Sequence, residues 1–319
     1  MSPINRRKFL GSAAALAGSA ALATTHTARA ADPATESSGA QQSATDQARE
    51  SEQAEELGSL GRTPHTRFAV NVEMWWTRLP FLERVERAAE WGFPAIEFWP
   101  WQNKDIDALA DLCQSRDIEV AQFTAWGFVP GMNNPVNHER FIQAIEKGCE
   151  TAARLKCRKM TVVGGDDQRG MTQAEMHEQI IVALKRAAPL AEAADVMLIL
   201  EPMNIRVDHK GHCLYGSPDA VRICREVGSS HVKINWDLYH MQISEGDLCG
   251  RLREGFDQVG YLQLADHPGR NEPGTGEVHY NRVLREAYEL GYRDYVGLEL
   301  RPKTDELAAA RAVAAADVW

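Results

Sequence analysis

The chain has 319 residues, 44% hydrophobic and 25% charged, a balance that fits a soluble globular protein and excludes fibrous and disordered classes. Its formal charge of −10 argues against nucleic acid as a partner. The six cysteines, Cys113, Cys149, Cys157, Cys213, Cys224 and Cys249, include no Cys-x-x-Cys pair, so buried free thiols are expected rather than a zinc ribbon or a redox motif.

Residues 1–30 differ in kind from the rest. In "NRRKFLGSAAALAGSAALA", Arg6 and Arg7 precede Phe9, Leu10 and a run of small residues, and "ARA" at Ala28 to Ala30 is a cleavage pattern that would leave Ala31 as the terminus. This segment resembles a twin-arginine export signal. Its run is too short and too rich in Ala, Gly and Ser to span a bilayer. The resemblance implies export to the periplasm or cell envelope, with no stable membrane anchor after signal cleavage. Arg6, Arg7, Lys8 and Arg29 leave with the segment and no acid does, so the mature chain would carry −14, from −10 minus 4. Such systems carry proteins already folded, often with a cofactor, which suits cysteines without a disulfide pattern. Lysine at both Arg6 and Arg7 is expected to leave the protein in the cytoplasm. Fractionation checks this, and normal export of the double variant would contradict it.

Residues 31–66 are small, polar and acidic, with almost nothing to bury, and read as a disordered linker. The folded domain is expected over 67–319. There the strand candidates come in the order "RFAVNVEM", "AIEFW", "IEVAQFT", "KMTVVGG", "VMLILEP", "VKINWD", "VGYLQLAD" and "YVGLEL". Amphipathic stretches lie between them. "PFLERVERAAEWG" is one. In "MTQAEMHEQIIVALKRAAPLAEAA", Met176, Ile180, Ile181, Leu184 and Ala187 recur at helical spacing. Eight strand–helix units in about 250 residues predict a single (β/α)8 barrel, an α/β TIM barrel. A doubly wound sheet usually has a Gly-rich loop after its first strand. Here that strand runs into "EMWWTRLP".

In such a barrel chemistry sits at the carboxyl ends of the strands. The fifth strand ends at Glu201 and the sixth at Asp237; the seventh carries Gln263 and the eighth Glu299, at separations of 36, 26 and 36 residues. Each of these alone reads first as a salt-bridge partner or a strand-end cap. Together they aim four oxygen ligands at one mouth. Converging carboxylates repel unless a cation joins them. Oxygen-only ligation favours Mn²⁺ or Mg²⁺ over zinc.

"EPMN", "NWDLYHMQ", "QLADHPGRNEPGTGE" and "GLELRP" resemble signature segments of the hydroxypyruvate isomerase branch of the xylose isomerase-like barrels. The resemblance covers essentially Arg67 to Trp319. It implies metal ligands at Glu201, Asp237, Gln263 and Glu299. Sugar epimerases of that superfamily usually have His at the third position, so Gln263 favours the hydroxypyruvate isomerase branch. The implied reaction moves a proton between adjacent carbons of a small hydroxy-carbonyl compound, hydroxypyruvate to 2-hydroxy-3-oxopropanoate. Taking a proton from beside a carbonyl builds negative charge on oxygen, which a cation stabilises. One carboxylate must take the proton and an acid must return one. Glu201 and Glu299 can fill both roles. His240 matches a family position that hydrogen-bonds the substrate oxygen.

Further candidates follow from position and residue type. The fork of Arg270, in the loop after the seventh strand, suits a carboxylate or a pair of sugar hydroxyls. Asn204, His209 and His212 lie just past Glu201 and are candidate substrate-loop residues. Trp75, Trp99 and Trp126 follow the first three strands and could form a substrate wall, with core packing as the plain alternative. Export and that wall favour a rival: a keto-sugar epimerase or lyase in the cell envelope. A non-catalytic sugar-binding barrel is the third class, and it would not need two glutamates. The sequence leaves open whether the chain forms a homo-oligomer.

Overall fold

The computed structural model describes residues 55–319. The export segment and the linker as far as residue 54 lie outside the described residues. The eight strands are β1 Arg67–Asn71, β2 Ala95–Phe98, β3 Glu119–Trp126, β4 Lys159–Val163, β5 Met197–Glu201, β6 Val232–Asp237, β7 Val259–Gln263 and β8 Tyr295–Leu298. Each pairs in parallel with the next, and β8 closes on β1, so the sheet is a barrel without edges. Around it lie α1 Phe81–Glu90, α2 Ile106–Arg116, α3 His138–Leu155, α4 Gln173–Ala193, α5 Ser217–Val227, α6 Leu238–Ser244, α7 Leu248–Gly255, α8 Tyr280–Glu289 and α9 Glu306–Ala316.

The local causes are visible in the residues. Met176, Ile180, Ile181, Leu184 and Ala187 of α4 are all buried, as their spacing requires. Thr172 and Glu175 form a reciprocal capping box at its start. Asp105 and Asp305 cap α2 and α9 by accepting backbone N–H bonds at 3.0 and 2.8 Å. Alternate residues of each strand face the helices or the barrel axis. Phe68, Val70, Ile96, Phe98, Leu198 and Leu200 join the large core between sheet and helices. Ala69, Ala95, Ala121, Ile199, Tyr261 and Tyr295 form a separate apolar plug inside the barrel.

The folded part begins earlier than residue 67. Leu60 is buried, and the Gly61 N–H donates to the Trp91 carbonyl at 2.9 Å. A Cβ on Gly61 would fall 2.3 Å from the Phe93 nitrogen, so only glycine allows this approach. The His65 and Thr66 amides donate to Asp317 Oδ2 at 2.8 and 3.1 Å, and the His65 ring stacks on Trp319. A handful of anchoring residues suffices, which is why a polar composition concealed them. The six cysteines are free, and four of them, Cys113, Cys157, Cys213 and Cys224, are buried.

Candidate active site

Period-two alternation takes each strand from the apolar plug to the mouth in steps. Two residues beyond Ile199 is Glu201, and two beyond Asn235 is Asp237; Gln263 follows Tyr261, and Gly297 and Glu299 follow Tyr295. Above the plug lies a polar layer that the sequence reading did not pick out. Glu97 is its centre. It accepts from Asn71 Nδ2 at 3.0 Å, Gln263 Nε2 at 2.9 Å and Gln122 Nε2 at 3.2 Å. Thr161 Oγ1 donates to Gln122 Oε1 at 2.8 Å, and Asn235 Nδ2 donates to Gln263 Oε1 at 2.7 Å. All six side chains are buried. The sequence did carry a signal for this layer: "AIEF" holds one carboxylate inside an otherwise apolar strand, on the parity that faces the axis.

The mouth holds the acids. Glu201, Asp237 and His240 each bring a candidate ligand atom within 4.8 Å of the others, and all three are buried. Asp237 Oδ1 also accepts from the Tyr239 N–H at 2.8 Å, capping α6. Arg270 Nη2 lies 3.4 Å from Asp237 Oδ2 and 3.1 Å from Glu299 Oε1, so one guanidinium bridges the two carboxylates. Arg270 Nε donates to the Glu299 carbonyl at 3.3 Å, and its fork lies over the Tyr239 ring. Glu299 Oε2 is buried without a partner.

The expected four-ligand set is therefore assembled in part. Glu201 and Asp237 converge, Glu299 joins them through Arg270, and Gln263 is turned into the polar layer. The amide of Gln263 is engaged at both ends, although its oxygen has two lone pairs and the bond from Asn235 uses one.

Burial governs the charge states here. It pushes the Asp237 carboxyl up to about 7, with Glu299 adding to the rise and Arg270 opposing it. Burial and then Glu299 push Glu97 to about 7 as well. Glu201 is raised well above the usual range, first by burial and then by Glu299 and Asp237, and burial raises Glu299 too. His240 is held well below its ordinary value by burial and then Arg270, which keeps the ring neutral. Acids whose folded-state values are raised hold protons that the unfolded chain releases. In metal-free protein, stability is therefore expected to fall as pH rises from the ordinary carboxylate range towards about 7. A divalent cation supplies the missing positive charge and should flatten that profile. Denaturation midpoints with chelator and with Mn²⁺ check this; a metal-free protein equally stable across the window would contradict it.

Above the acids opens a cavity of about 300 Å³ lined by Glu201, Glu299, His240, Arg270, His209, Trp99, Phe128, Met203 and their neighbours. Trp99 shares its inward parity with Glu97 and takes the expected place in the wall. Trp75 and Trp126 do not. Trp75 is fully buried against Trp76 and Phe93. A register shift between Thr124 and Trp126 leaves Thr124 on the cavity and turns Trp126 outward onto Phe141 of α3. Phe128 takes the place in the wall instead and stacks on His209, with ring centroids 4.7 Å apart.

His212 is buried behind the edge of Phe128, its Nδ1 3.8 Å from Asp166, and does not line the cavity. Burial drives that ring down to about 3, so it is neutral. Asn204, also expected in the substrate loop, is fully buried behind His240 and contacts it at 2.7 Å.

Comparison with known proteins agrees with the barrel fold. The family described as xylose isomerase-like TIM barrel matches over residues 85–317. Hydroxypyruvate isomerase of Escherichia coli (strain K12) is 31% identical over 251 residues, covering 77% of this chain and 97% of that protein. The 2-oxo-tetronate isomerase of Cupriavidus necator is also 31% identical, covering 74% of this chain and 93% of that one. Among solved structures, one titled AP endonuclease, family 2, from Brucella melitensis superposes with a TM-score of 0.73 at 26% identity, covering 76% of this chain and 96% of that one. The chain belongs to the xylose isomerase-like TIM barrel family, and within it is an isomerase.

Proposed function

We propose that the chain is a divalent-metal-dependent isomerase of small 2-oxo, hydroxy acids of the hydroxypyruvate type. One observation carries the reading: Glu201 and Glu299 face the same cavity of about 300 Å³, with the Arg270 guanidinium beside them. That volume is at the lower end for ligand sites. It suits a three- or four-carbon acid better than a glucoside. With Trp75 and Trp126 in the core, the aromatic wall that favoured a sugar shrinks to Trp99 and Phe128.

The residues present fit a divalent cation. Three buried acids, Glu201, Asp237 and Glu299, gather around the half-buried Arg270 guanidinium, the fourth, Glu97, lies close enough to Glu299 to be pushed up by it, and Glu299 Oε2 has no partner. Carboxylate oxygens of Glu201, Asp237 and Glu299, with the spare lone pair of Gln263, would hold the ion. Such hard donors suit Mn²⁺ or Mg²⁺. When bound, the ion supplies positive charge next to the substrate oxygen where negative charge develops.

The chain's own groups do the rest. One glutamate takes a proton from the hydroxyl-bearing carbon as the double bond forms between that carbon and its carbonyl neighbour. The other, protonated at the outset, delivers its proton to the former carbonyl carbon, and exchange with solvent returns both glutamates to their starting states. The hydroxyl proton moves from one substrate oxygen to the other, so substrate and product have the same atoms and electron count. Trp99, Phe128 and Met203 give the cavity an apolar wall beside the reacting carbons. Arg270 can receive the substrate carboxylate through its planar fork.

Arg270→Gln is therefore expected to raise KM for a 2-oxo acid by about 10–100-fold, the size of a lost hydrogen bond to a charged group. Initial rates over a substrate series check this, and an unchanged KM would remove Arg270 from substrate binding. The reaction itself is tested by assaying metal-loaded protein against hydroxypyruvate, 2-oxo-tetronate, ketoses and keto-glucosides. Turnover confined to the short 2-oxo acids is expected. Turnover confined to keto-glucosides would overturn the substrate class and favour an epimerase.

A further inference from the structure

The two nitrogens of His240 face different surroundings, and their partners bear on which of them carries the proton. Asn204 lies behind the ring. Its Oδ1 accepts the backbone N–H groups of Val207 at 3.0 Å and Asp208 at 3.1 Å. Its Nδ2 donates to Asp208 Oδ2 at 2.8 Å. These three bonds fix the amide's orientation, because the flipped amide would set N–H against N–H and oxygen against a carboxylate. The same Nδ2 lies 2.7 Å from His240 Nδ1. A nitrogen that meets a donor at that distance must present a lone pair. The ring is then neutral, with its one proton on Nε2.

Nε2 is the nitrogen that faces the site. It lies 3.5 Å from Asp237 Oδ2 and 3.9 Å from Glu201 Oε1, both too far for a strong bond. Arg270 Nη2 approaches both Asp237 Oδ2 at 3.4 Å and Nε2 itself at 3.5 Å, the second at the outer limit of a hydrogen bond, so the far shorter Asn204 contact outweighs it in setting the tautomer. A histidine that ligates a metal does the reverse: it gives the metal a lone pair and donates its other N–H to a partner behind it.

We propose that Asn204 is a positioning residue that locks His240 in the Nε2–H tautomer, so that His240 offers the cavity a hydrogen-bond donor and no metal-ligating lone pair. Proximity alone would count His240 with Glu201 and Asp237 as a ligand; the lock removes it from the set and leaves the ion to oxygen atoms. The N–H is then free for the substrate oxygen on which charge develops. The catalytic consequence rests on the isomerase reading above; the tautomer does not.

The experiment is long-range ¹H–¹⁵N NMR on metal-free, histidine-labelled full chain, with His240→Gln identifying the signals. Native protein should show a pyridine-type Nδ1 and a pyrrole-type Nε2 at His240. In Asn204→Asp the carboxylate accepts where the amide donated, so the two types should exchange. With Nε2 then bearing a lone pair, calorimetry should show Zn²⁺ affinity raised about tenfold or more relative to Mn²⁺, and kcat should fall about 10²-fold with little change in KM. Asn204→Ala, which adds no charge beside Asp208, should release the lock, mix the tautomers and give an intermediate kcat. A pyrrole-type Nδ1 in the native protein would overturn the proposal. So would Asn204 variants whose His240 signals match the native ones. Failure of the isomerase reading would leave the NMR result standing, so the two failures are distinguishable.

Discussion

Glu201→Gln and Glu299→Gln are each expected to lower kcat by about 10²–10⁴, the usual range for a lost general acid or base. Glutamine keeps a ligating oxygen and nearly the same shape, so each variant should fold normally and retain much of its metal. Removing one of the crowded carboxylates also relieves repulsion, since Glu299 raises Glu201, Asp237 and Glu97, Asp237 adds to the rise of Glu201, and all are buried together. Stability without metal should therefore hold or rise while turnover collapses. Steady-state rates with metal content and a denaturation curve on the same samples check this. A variant with near-native kcat and metal bound would reduce that glutamate to a ligand.

The second large effect is structural. Gly297 occupies the polar layer of β8 opposite Glu97, and a Cβ built there would lie 2.3 Å from Glu97 Oε2 and 2.7 Å from its carboxyl carbon. Glu97 cannot step aside cheaply, because Asn71, Gln122 and Gln263 all hold it. Gly297→Ala is expected to cost about 1–3 kcal/mol, the range for overpacking a filled interior. For a chain of this size that lowers Tm by roughly 2–4 °C per kcal/mol. Because Gln263 would move with Glu97, Mn²⁺ affinity should drop as well. A Gly297→Ala protein with native Tm and native metal affinity would show that the layer has slack it is not drawn with.

Much of this was legible in the sequence, and the reasons differ by residue. The strands stood out because each is a short apolar run bounded by polar turns, and buried parallel strands leave little alternative. Glu201, Asp237 and Glu299 stood out because a carboxylate at the end of such a run needs a partner. What failed was orientation. Trp126 looked like part of a wall, but an irregularity between Thr124 and Trp126 turned it to the helices, and nothing in the residue types marks that register shift. Gln263 is legible as a position and not as half of an amide pair, because Glu97 reaches it from the remote strand β2 and its bond with Asn235 of neighbouring β6 depends on side-chain direction. Asn204 was read as a substrate contact because it follows Glu201; its burial behind His240 depends on the loop from 204 to 208 folding back on its own side chain. The ordered residues ahead of 67 are not legible in composition, since Leu60, Gly61 and His65 anchor a segment whose average composition is that of a linker.

The measurement that bears most directly on the two-carboxylate mechanism is isotope incorporation from solvent. Metal-loaded native protein is allowed to turn over hydroxypyruvate in D₂O, and the carbon-bound positions of substrate and product are read by NMR. The glutamate that delivers to the former carbonyl carbon takes its own proton from solvent, so deuterium should appear on carbon in the native reaction, and Glu201→Gln and Glu299→Gln should show almost none over the same time. Product formed at the native rate with only protium on carbon would mean that hydrogen passes directly between the carbons, and Glu201 and Glu299 would then carry no proton.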